Sequence, residues 1–387
     1  MKYLAALLIS VMLALPVFPE TKLSEPAGKE KSKGAALPAG SLGISSVRAK
    51  SGGRIFTGES VILTATVYDI KGVPQQNRRI DFSAVKGAGR SAPTLVKATG
   101  ITDKYGNVSV EMIAGSEAAE FNVVRALAPG VKNPNANSAL FKIKAWSPPL
   151  ERLAANYSSV EDFSAARIDS GVAGGKELSE SRTLYFARKP DMSKSVKQAN
   201  SASYTIFKGG VSCSYAPERN PLKTDIAAIM GVPYAQVNYQ YAPESFLAAH
   251  AVQVKLVDKP GADEMYCVEA APKTENKAYS CMVIYIDYIT GLDVEVDKYG
   301  PDKTIASRSV IKRAAQYDLS RGCMTGRVYD SGRPSAPNGA EEELSCCWIP
   351  VETETTTYFG SVNTVIRTRF EDIKVNTGIS EAEFTIP

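Results

Sequence analysis

From Ser60 to Tyr68 the chain alternates with a period of two. Val61, Leu63, Ala65 and Val67 point one way, and Ile62, Thr64, Thr66 and Tyr68 point the other. Such alternation, rich in β-branched residues, specifies a half-buried strand, because a helix brings its apolar residues round every three to four positions. The pattern recurs. Ile80, Phe82 and Ala84 share a face. A third strand begins near Ala98, turns at Asp103-Lys104-Tyr105-Gly106-Asn107 and re-enters as Val108, Val110 and Met112. Glu120 to Ala126 reads as a further strand with Phe121 and Val123 facing in. The turn Asp69-Ile70-Lys71-Gly72-Val73-Pro74 carries an Asp that can bond backbone two residues on and a Gly that accepts positive φ. Short strands between regular turns predict a sandwich or barrel over residues 41–146. This segment has no cysteine, so its stability must come from packing between sheets.

The same residues resemble the bacterial immunoglobulin-like domain of group 1, the repeat of invasin and intimin. The resemblance rests on Thr64-Ala65-Thr66-Val67, Asp69, Gly72, Pro74, Phe82-Ser83, Thr102-Asp103 and Gly106, in that order. It departs at Ala88-Gly89-Arg90-Ser91-Ala92-Pro93, and the family's outer-membrane β-barrel is missing. It implies an immunoglobulin-like β-sandwich that serves as a spacer in a cell-surface adhesin.

Residues 147–202 read as a linker. Leu150, Leu153, Ala154, Tyr157, Val160 and Phe163 recur at helical spacing, so an amphipathic helix and an irregular connection both fit there. Residues 203–387 are β-rich. Strands are expected at Tyr204–Phe207, Val252–Val257, Glu264–Ala270, Tyr279–Tyr288 and Val362–Phe370, with a hairpin turn at Pro260-Gly261-Ala262-Asp263 and a short helix at Leu222–Met230. Thr325 to Leu344 resembles the start of carboxypeptidase-regulatory-like modules, which implies a further small sandwich from about residue 324.

All six cysteines, Cys213, Cys267, Cys281, Cys323, Cys346 and Cys347, fall in the second half. An even count in an exported chain predicts disulfides, although six cysteines allow fifteen pairings. Cys267 with Cys281 is the favoured pair, and adjacent Cys346 and Cys347 are expected to reach separate partners such as Cys323 and Cys213. The chain opens with Lys2 and an apolar run from Tyr3 to Phe18 interrupted only by Ser10. A cleaved secretory signal and an uncleaved anchor both fit this segment of residues 1–18. Residues 19–40, rich in Pro, Gly, Lys and Glu, read as a flexible leader. The protein is therefore expected outside the cytoplasm, at the cell surface, in the medium or in a periplasm. Membrane contact is expected only through an uncleaved N-terminal segment.

With 45 basic and 41 acidic residues, the chain lacks the charge excess of a nucleic-acid protein. The single histidine, His250, sits in Phe-Leu-Ala-Ala-His-Ala without a nucleophile motif and reads as a packed residue. No phosphate-binding glycine loop occurs, and no cofactor is expected. Asp293, Glu295 and Asp297 alternate, so on a regular strand they share one face about 7 Å apart and become calcium candidates. Tyr234, Tyr239 and Tyr241 cluster, and tyrosines suit contact surfaces for protein or carbohydrate. These features together predict a non-enzymatic, exported protein with an adhesin-type spacer and a C-terminal recognition or structural domain. The alternatives are a polymer-acting enzyme with an accessory sandwich, and a subunit of a conjugation or export apparatus.

Overall fold

The computed structural model describes residues 41–387, apart from 50–53, 86–91, 117–120, 130–135, 258–264, 275–278 and 332–345 and the positions Pro190, Asn200, Ser201, Glu218, Ser361 and Pro387. The segments of residues 1–18 and 19–40, the departure at Ala88–Ser91 and the turn at Pro260–Asp263 lie outside the described residues. The chain is mainly β. It divides into two compact units, one ending at Pro148 and one running from Pro149.

The first unit consists of two four-stranded antiparallel sheets. One has β1 (Ser41–Ala49), β2 (Ser60–Tyr68), β6 (Asn107–Ile113) and β4 (Thr94–Leu95) in that order. The other has β5 (Thr99–Ile101), β3 (Arg79–Val85), β7 (Phe121–Leu127) and β8 (Ser138–Lys144). Val61, Leu63, Ala65, Val67, Val108, Val110 and Met112 from one sheet share a buried core with Ile80, Phe82, Val124, Ala126, Phe141 and Ile143 from the other. The alternation read from β2, β3 and β6 thus places the inward residues, except that Ala84, near the end of β3, is exposed. In β7 the faces are reversed: Phe121 is exposed, while Asn122, Val124 and Ala126 face in. The apolar residues of β7 occupy both parities, and the Asn122 amide oxygen accepts the Gly115 N–H inside the core at 2.8 Å.

The Asp-x-x-Gly turns knit this unit at one end. Asp69 Oδ1 accepts from the Lys71 and Val73 amides, and Asp103 Oδ1 accepts from those of Tyr105 and Asn107. Buried Thr102 donates to the Gln75 carbonyl at 2.6 Å and accepts from the Arg78 amide at 2.9 Å. Gly106 has φ +73°, and a Cβ there would stand 2.8 Å from the Val67 carbonyl oxygen.

The second unit holds one fourteen-stranded antiparallel sheet. A first meander runs β9 (Asp162–Ala173), β10 (Lys176–Arg188), β11 (Met192–Lys197), β12 (Tyr204–Lys208), β13 (Val211–Ala216) and β14 (Arg219–Asp225). A second runs β15 (His250–Leu256), β16 (Met265–Pro272), β17 (Cys281–Asp287), β18 (Leu292–Tyr299) and β19 (Ile305–Asp318). The strands β21 (Cys346–Phe359) and β22 (Val362–Val375) join the meanders in the order β19-β21-β22-β9. The strand β20 (Cys323–Asp330) pairs with the far half of β19, so it is part of this sheet and not the start of a further module. Twist accumulates across so many strands, and an open sheet of this size curls.

Among the described residues three helices and two 3₁₀ turns accompany the sheet. One turn, Glu381–Phe384, packs Phe384 on Met192 and Ile206. The others form a layer over β15–β18 and beyond. They are α1 (Pro149–Ser158), α2 (Ile226–Met230), the turn Tyr234–Gln236 and α3 (Pro243–Ala249). Residues 147–202 are therefore no linker: they hold α1, β9, β10 and β11. The helical spacing that runs on to Phe163 ends at Ser158, where the Ser158 and Ser159 hydroxyls donate back to the Ala155 and Asn156 carbonyls. The helix expected at Leu222–Met230 begins only at Ile226, because Leu222 to Asp225 belong to β14. Leu150, Leu153, Tyr239 and Phe246 from this layer pack on Val268, Ala270, Met282, Ile284, Ile286 and Val296 of β16–β18. Asn156 of α1 serves as a strand partner for the edge of β21 that β22 leaves open: Nδ2 donates to the Trp348 carbonyl at 2.9 Å, and the Trp348 amide donates to Oδ1 at 2.8 Å.

The expected disulfides are absent, and all six cysteines stand as thiols. Cys267 lies opposite Tyr285, four residues along β17 from Cys281. At about 3.4 Å per residue that exceeds the Cα separation of about 4.4–6.8 Å that a disulfide spans. Cys323 and Cys346 flank Asp318 from opposite sides, two strands apart. Cys213 and Cys347 are buried and pack as small apolar side chains.

Replacing Gly106 by Ala forces a left-handed backbone on a residue whose Cβ meets a carbonyl. Gly106→Ala is expected to destabilise the first unit by about 1–3 kcal/mol, read from urea denaturation.

Candidate functional site

Directly paired residues of an antiparallel sheet share a face, so the registers trace the two faces of the second unit. Ile284 and Val296, under the helices, continue into Ser309, Thr355, Ile366 and Gly171. Phe163 follows Gly171 on the same parity of β9. Its row continues through Ala187 and Ser193 to Phe207. The helix-bearing face is thus continuous from β15 to β12.

The segment between α2 and α3 crosses this face. Tyr239 donates to Asp293 Oδ2 of β18 at 2.6 Å, the Gln240 amide donates to the same oxygen at 3.0 Å, and Tyr157 of α1 donates to Oδ1 at 2.5 Å. Burial pushes the Asp293 carboxyl up, and the hydrogen bonds from Tyr157, Tyr239 and Gln240 oppose that shift. Half-buried Lys298 lies on the same face, and burial lowers its amine to about 8 against the pull of Asp293. At the other end of the segment Tyr234 meets Phe207 of β12, with ring centroids 5.1 Å apart.

Between these two attachments the face encloses a cavity of about 270 Å³. Its apolar lining is Phe163, Tyr185, Phe207, Tyr234 and Tyr241, with Met192 and Ala187. Phe163, Tyr185 and Phe370 stack edge to face or tilted, at 5.6–6.1 Å between centroids. Burial, with the charge of Asp191 second, pushes the Tyr234 phenol up to about 12. Five charged residues stand at the cavity: Glu161, Asp162, Arg188, Lys189 and Asp191. Lys189 pairs with Glu161 at 2.7 Å, and Arg188 donates to the Ile379 carbonyl. Buried Asp162 accepts from the Thr377, Gly378 and Ile379 amides and so holds the C-terminal segment in place.

The calcium candidates do not come together. Tyr285 pairs with Glu295 but Ile286 pairs with Asp293, so Val294 is the extra residue of a β-bulge. The bulge turns Asp293 to the helix-bearing face and leaves Glu295 and Asp297 on the other. There the Arg308 guanidinium binds Asp297 through two bonds of 2.7 Å and approaches Glu295 at 3.2 Å. Among the described residues no group of three or more His, Cys, Asp or Glu is arranged to hold a metal.

His250 is buried. Its Nδ1 lies 2.8 Å from the Phe246 carbonyl and its Nε2 lies 2.8 Å from the Tyr279 hydroxyl. A neutral ring donating from Nδ1 and accepting at Nε2 satisfies both contacts. Of the tyrosine cluster noted in the sequence, Tyr234 and Tyr241 line the cavity, and Tyr239 serves the Asp293 anchor. Phe163, Tyr185 and Phe207 carried no local signal, because they meet only through the sheet register.

No protein-family model matches the chain. No curated protein matches it either. Among solved structures, a DUF1329 family protein from Desulfovibrio piger ATCC 29098 is similar at 14% identity, over 61% of this chain and 95% of that one, with a TM-score of 0.41. A LolA superfamily protein from Nitrosomonas europaea is similar at 11% identity, over 62% of this chain and 96% of that one, with a TM-score of 0.40. Invasin, a bacterial integrin-binding protein, is similar at 9% identity, over 84% of this chain and 54% of that one, with a TM-score of 0.23. The adhesin-type function expected from the sequence is corrected by these likenesses, in which the DUF1329 family and LolA superfamily proteins stand above invasin.

Two outcomes follow from the buried polar groups. Asp293→Ala strands the hydroxyls of Tyr157 and Tyr239 and is expected to cost about 2–4 kcal/mol in chemical denaturation, with Asp293→Asn costing less. For His250, burial holds the ring below its ordinary 6.5; nearby Lys273 adds to this, and the Phe246 carbonyl opposes it. The unfolded chain therefore takes the proton first. This contribution to stability is full above pH 6.5 and drains away as pH falls through the folded-state value. Denaturation midpoints followed downward from pH 7 should decline less steeply in His250→Gln than in the wild type.

Proposed function

We propose that the second unit is a non-catalytic binding domain of an exported, envelope-associated protein. Its ligand is an amphipathic molecule, a lipid or a lipid-modified chain, held on the helix-bearing face of the curled sheet. The observation that carries this reading is the cavity: five aromatic rings converge in it, with charged residues beside them. Ligand sites combine an apolar lining with a few placed polar groups in this way. Its volume lies just below the usual range of about 300–1,000 Å³ for a whole small ligand, so it suits one head group or a short stretch of chain. We read the first unit as an immunoglobulin-like sandwich that supports the binding unit. Among the described residues no helix is long and apolar enough to cross a membrane.

The full-length protein should bind the fluorescent apolar probe N-phenylnaphthylamine and release it to dodecyl maltoside below its micelle concentration. Phe207→Arg places a charge against the Tyr234 ring and should weaken binding by about tenfold or more, with the thermal midpoint confirming a folded variant. A wild-type protein that binds neither probe nor detergent would sink the proposal.

A further inference from the structure

Four of the five charged residues at the cavity are already committed. Glu161 and Lys189 neutralise each other, Asp162 is consumed by three backbone amides, and Arg188 is tied to the Ile379 carbonyl with Glu381 nearby. Asp191 differs. It has no hydrogen-bond or ion-pair partner among the described residues, it lines the cavity, and its charge is felt by the Tyr234 phenol. In formal charge Glu161 offsets Lys189 and Asp162 offsets Arg188, so the lining carries one net negative charge, that of Asp191. It lines the same cavity as the rings of Phe163, Tyr185, Phe207, Tyr234 and Tyr241, whose π faces are the negative ends of their quadrupoles. A carboxylate next to aromatic faces recognises an alkylated or primary ammonium group: the rings attract the cation through their quadrupoles, and the carboxylate supplies the counter-charge. An anionic head would meet the same uncompensated charge as repulsion.

We propose that the cavity selects ligands bearing an ammonium head, with Asp191 as the counter-ion and Tyr234, Tyr241, Tyr185 and Phe207 as the aromatic enclosure. The proposal rests on the cavity being the ligand site, as argued above, and adds the class of head group it takes. It also accounts for the modest volume, which holds a trimethylammonium or aminoethyl group and leaves the chain to lie along the open face of the sheet.

The test keeps the chain length fixed and varies the head. Dodecyltrimethylammonium, dodecyl maltoside and dodecanoate, each below its micelle concentration, displace N-phenylnaphthylamine from the full-length protein. The cationic head should win over dodecanoate by about tenfold, the scale of a cation–π contact reinforced by one ion pair. Asp191→Asn should bring that ratio close to one. Tyr234→Leu, which keeps apolar bulk but removes a ring, should lower it part of the way. Free choline serves as a further arm: displacement by choline as strong as by dodecyltrimethylammonium supports ammonium recognition with a soluble amine as its source. Displacement only by the alkylated form supports it with a lipid head as its source. Equal affinity for all three heads in the wild type, or a preference unchanged in Asp191→Asn, overturns the head-group assignment while leaving the cavity as a ligand site. Failure of every head to displace the probe removes the ligand site itself.

Discussion

A carboxylate buried against two tyrosine hydroxyls and a glutamine amide holds the second unit in its shape. Asp293 sits on β18, Tyr157 on α1, and Tyr239 and Gln240 on the segment between α2 and α3. One side chain therefore fastens two separate elements to the sheet. The desolvation that a buried carboxylate suffers is offset only while all three donors are in place. The segment so fixed carries Tyr234 and Tyr241, which form one wall of the cavity. The position of that wall depends on an ionisable group that does not line the cavity at all.

The two faces of the sheet hold together by different means. On the face away from the helices charges alternate in sign from strand to strand: Arg308 lies between Glu295 and Asp297, and Glu354 lies between Lys312 and Arg367. The pairs in which both partners reach solvent, such as Arg367 with Glu354, are each worth less than about 1 kcal/mol. The two-bond grip of Arg308 on buried Asp297 is a stronger contact that fixes the register of β18 against β19. On the helix-bearing face apolar packing dominates over β16–β18, and hydroxyls take over further along. Ser309 and Thr355 hydrogen-bond to each other there at 3.0 Å. The run Glu352-Thr353-Glu354-Thr355 writes both faces in one strand, acids outward and hydroxyls inward.

Much of the first unit could be read from sequence because its information is local. The alternation in β2, β3 and β6 and the two Asp-x-x-Gly turns each specify structure within a few residues, and the packing follows. The reversed faces of β7 escaped because Val123 and Val124 are apolar on both parities, and the burial of Asn122 is decided by the Gly115 amide. The second unit is harder to read. Its order β19-β21-β22-β9 joins residues nearly two hundred positions apart, and β10 alternates weakly because most of it is exposed. The bulge at Val294 scattered three acids that a regular strand would have aligned. An even cysteine count pointed to crosslinks, whereas Cys213 and Cys347 do the work of small apolar residues. The tyrosines of the crossing segment were visible in sequence. The rings they meet were not, since Phe163, Tyr185 and Phe207 come together only once the meander is paired.

The cavity lies where it does because the layer over the sheet changes character along its length. Over β16–β18 the crossing segment and α3 meet Val268, Met282, Ile284 and Ile286, and apolar contact closes the gap. Over β10–β12 the same segment meets strands whose helix-side residues include Ser193, Ser195 and Thr205 beside Tyr185 and Phe207. The layer is pinned at Asp293 and again at Phe207, and the cavity lies on the stretch between the two pins. What remains is a space with aromatic rings on both walls, one serine in its lining and the Asp191 carboxylate beside them.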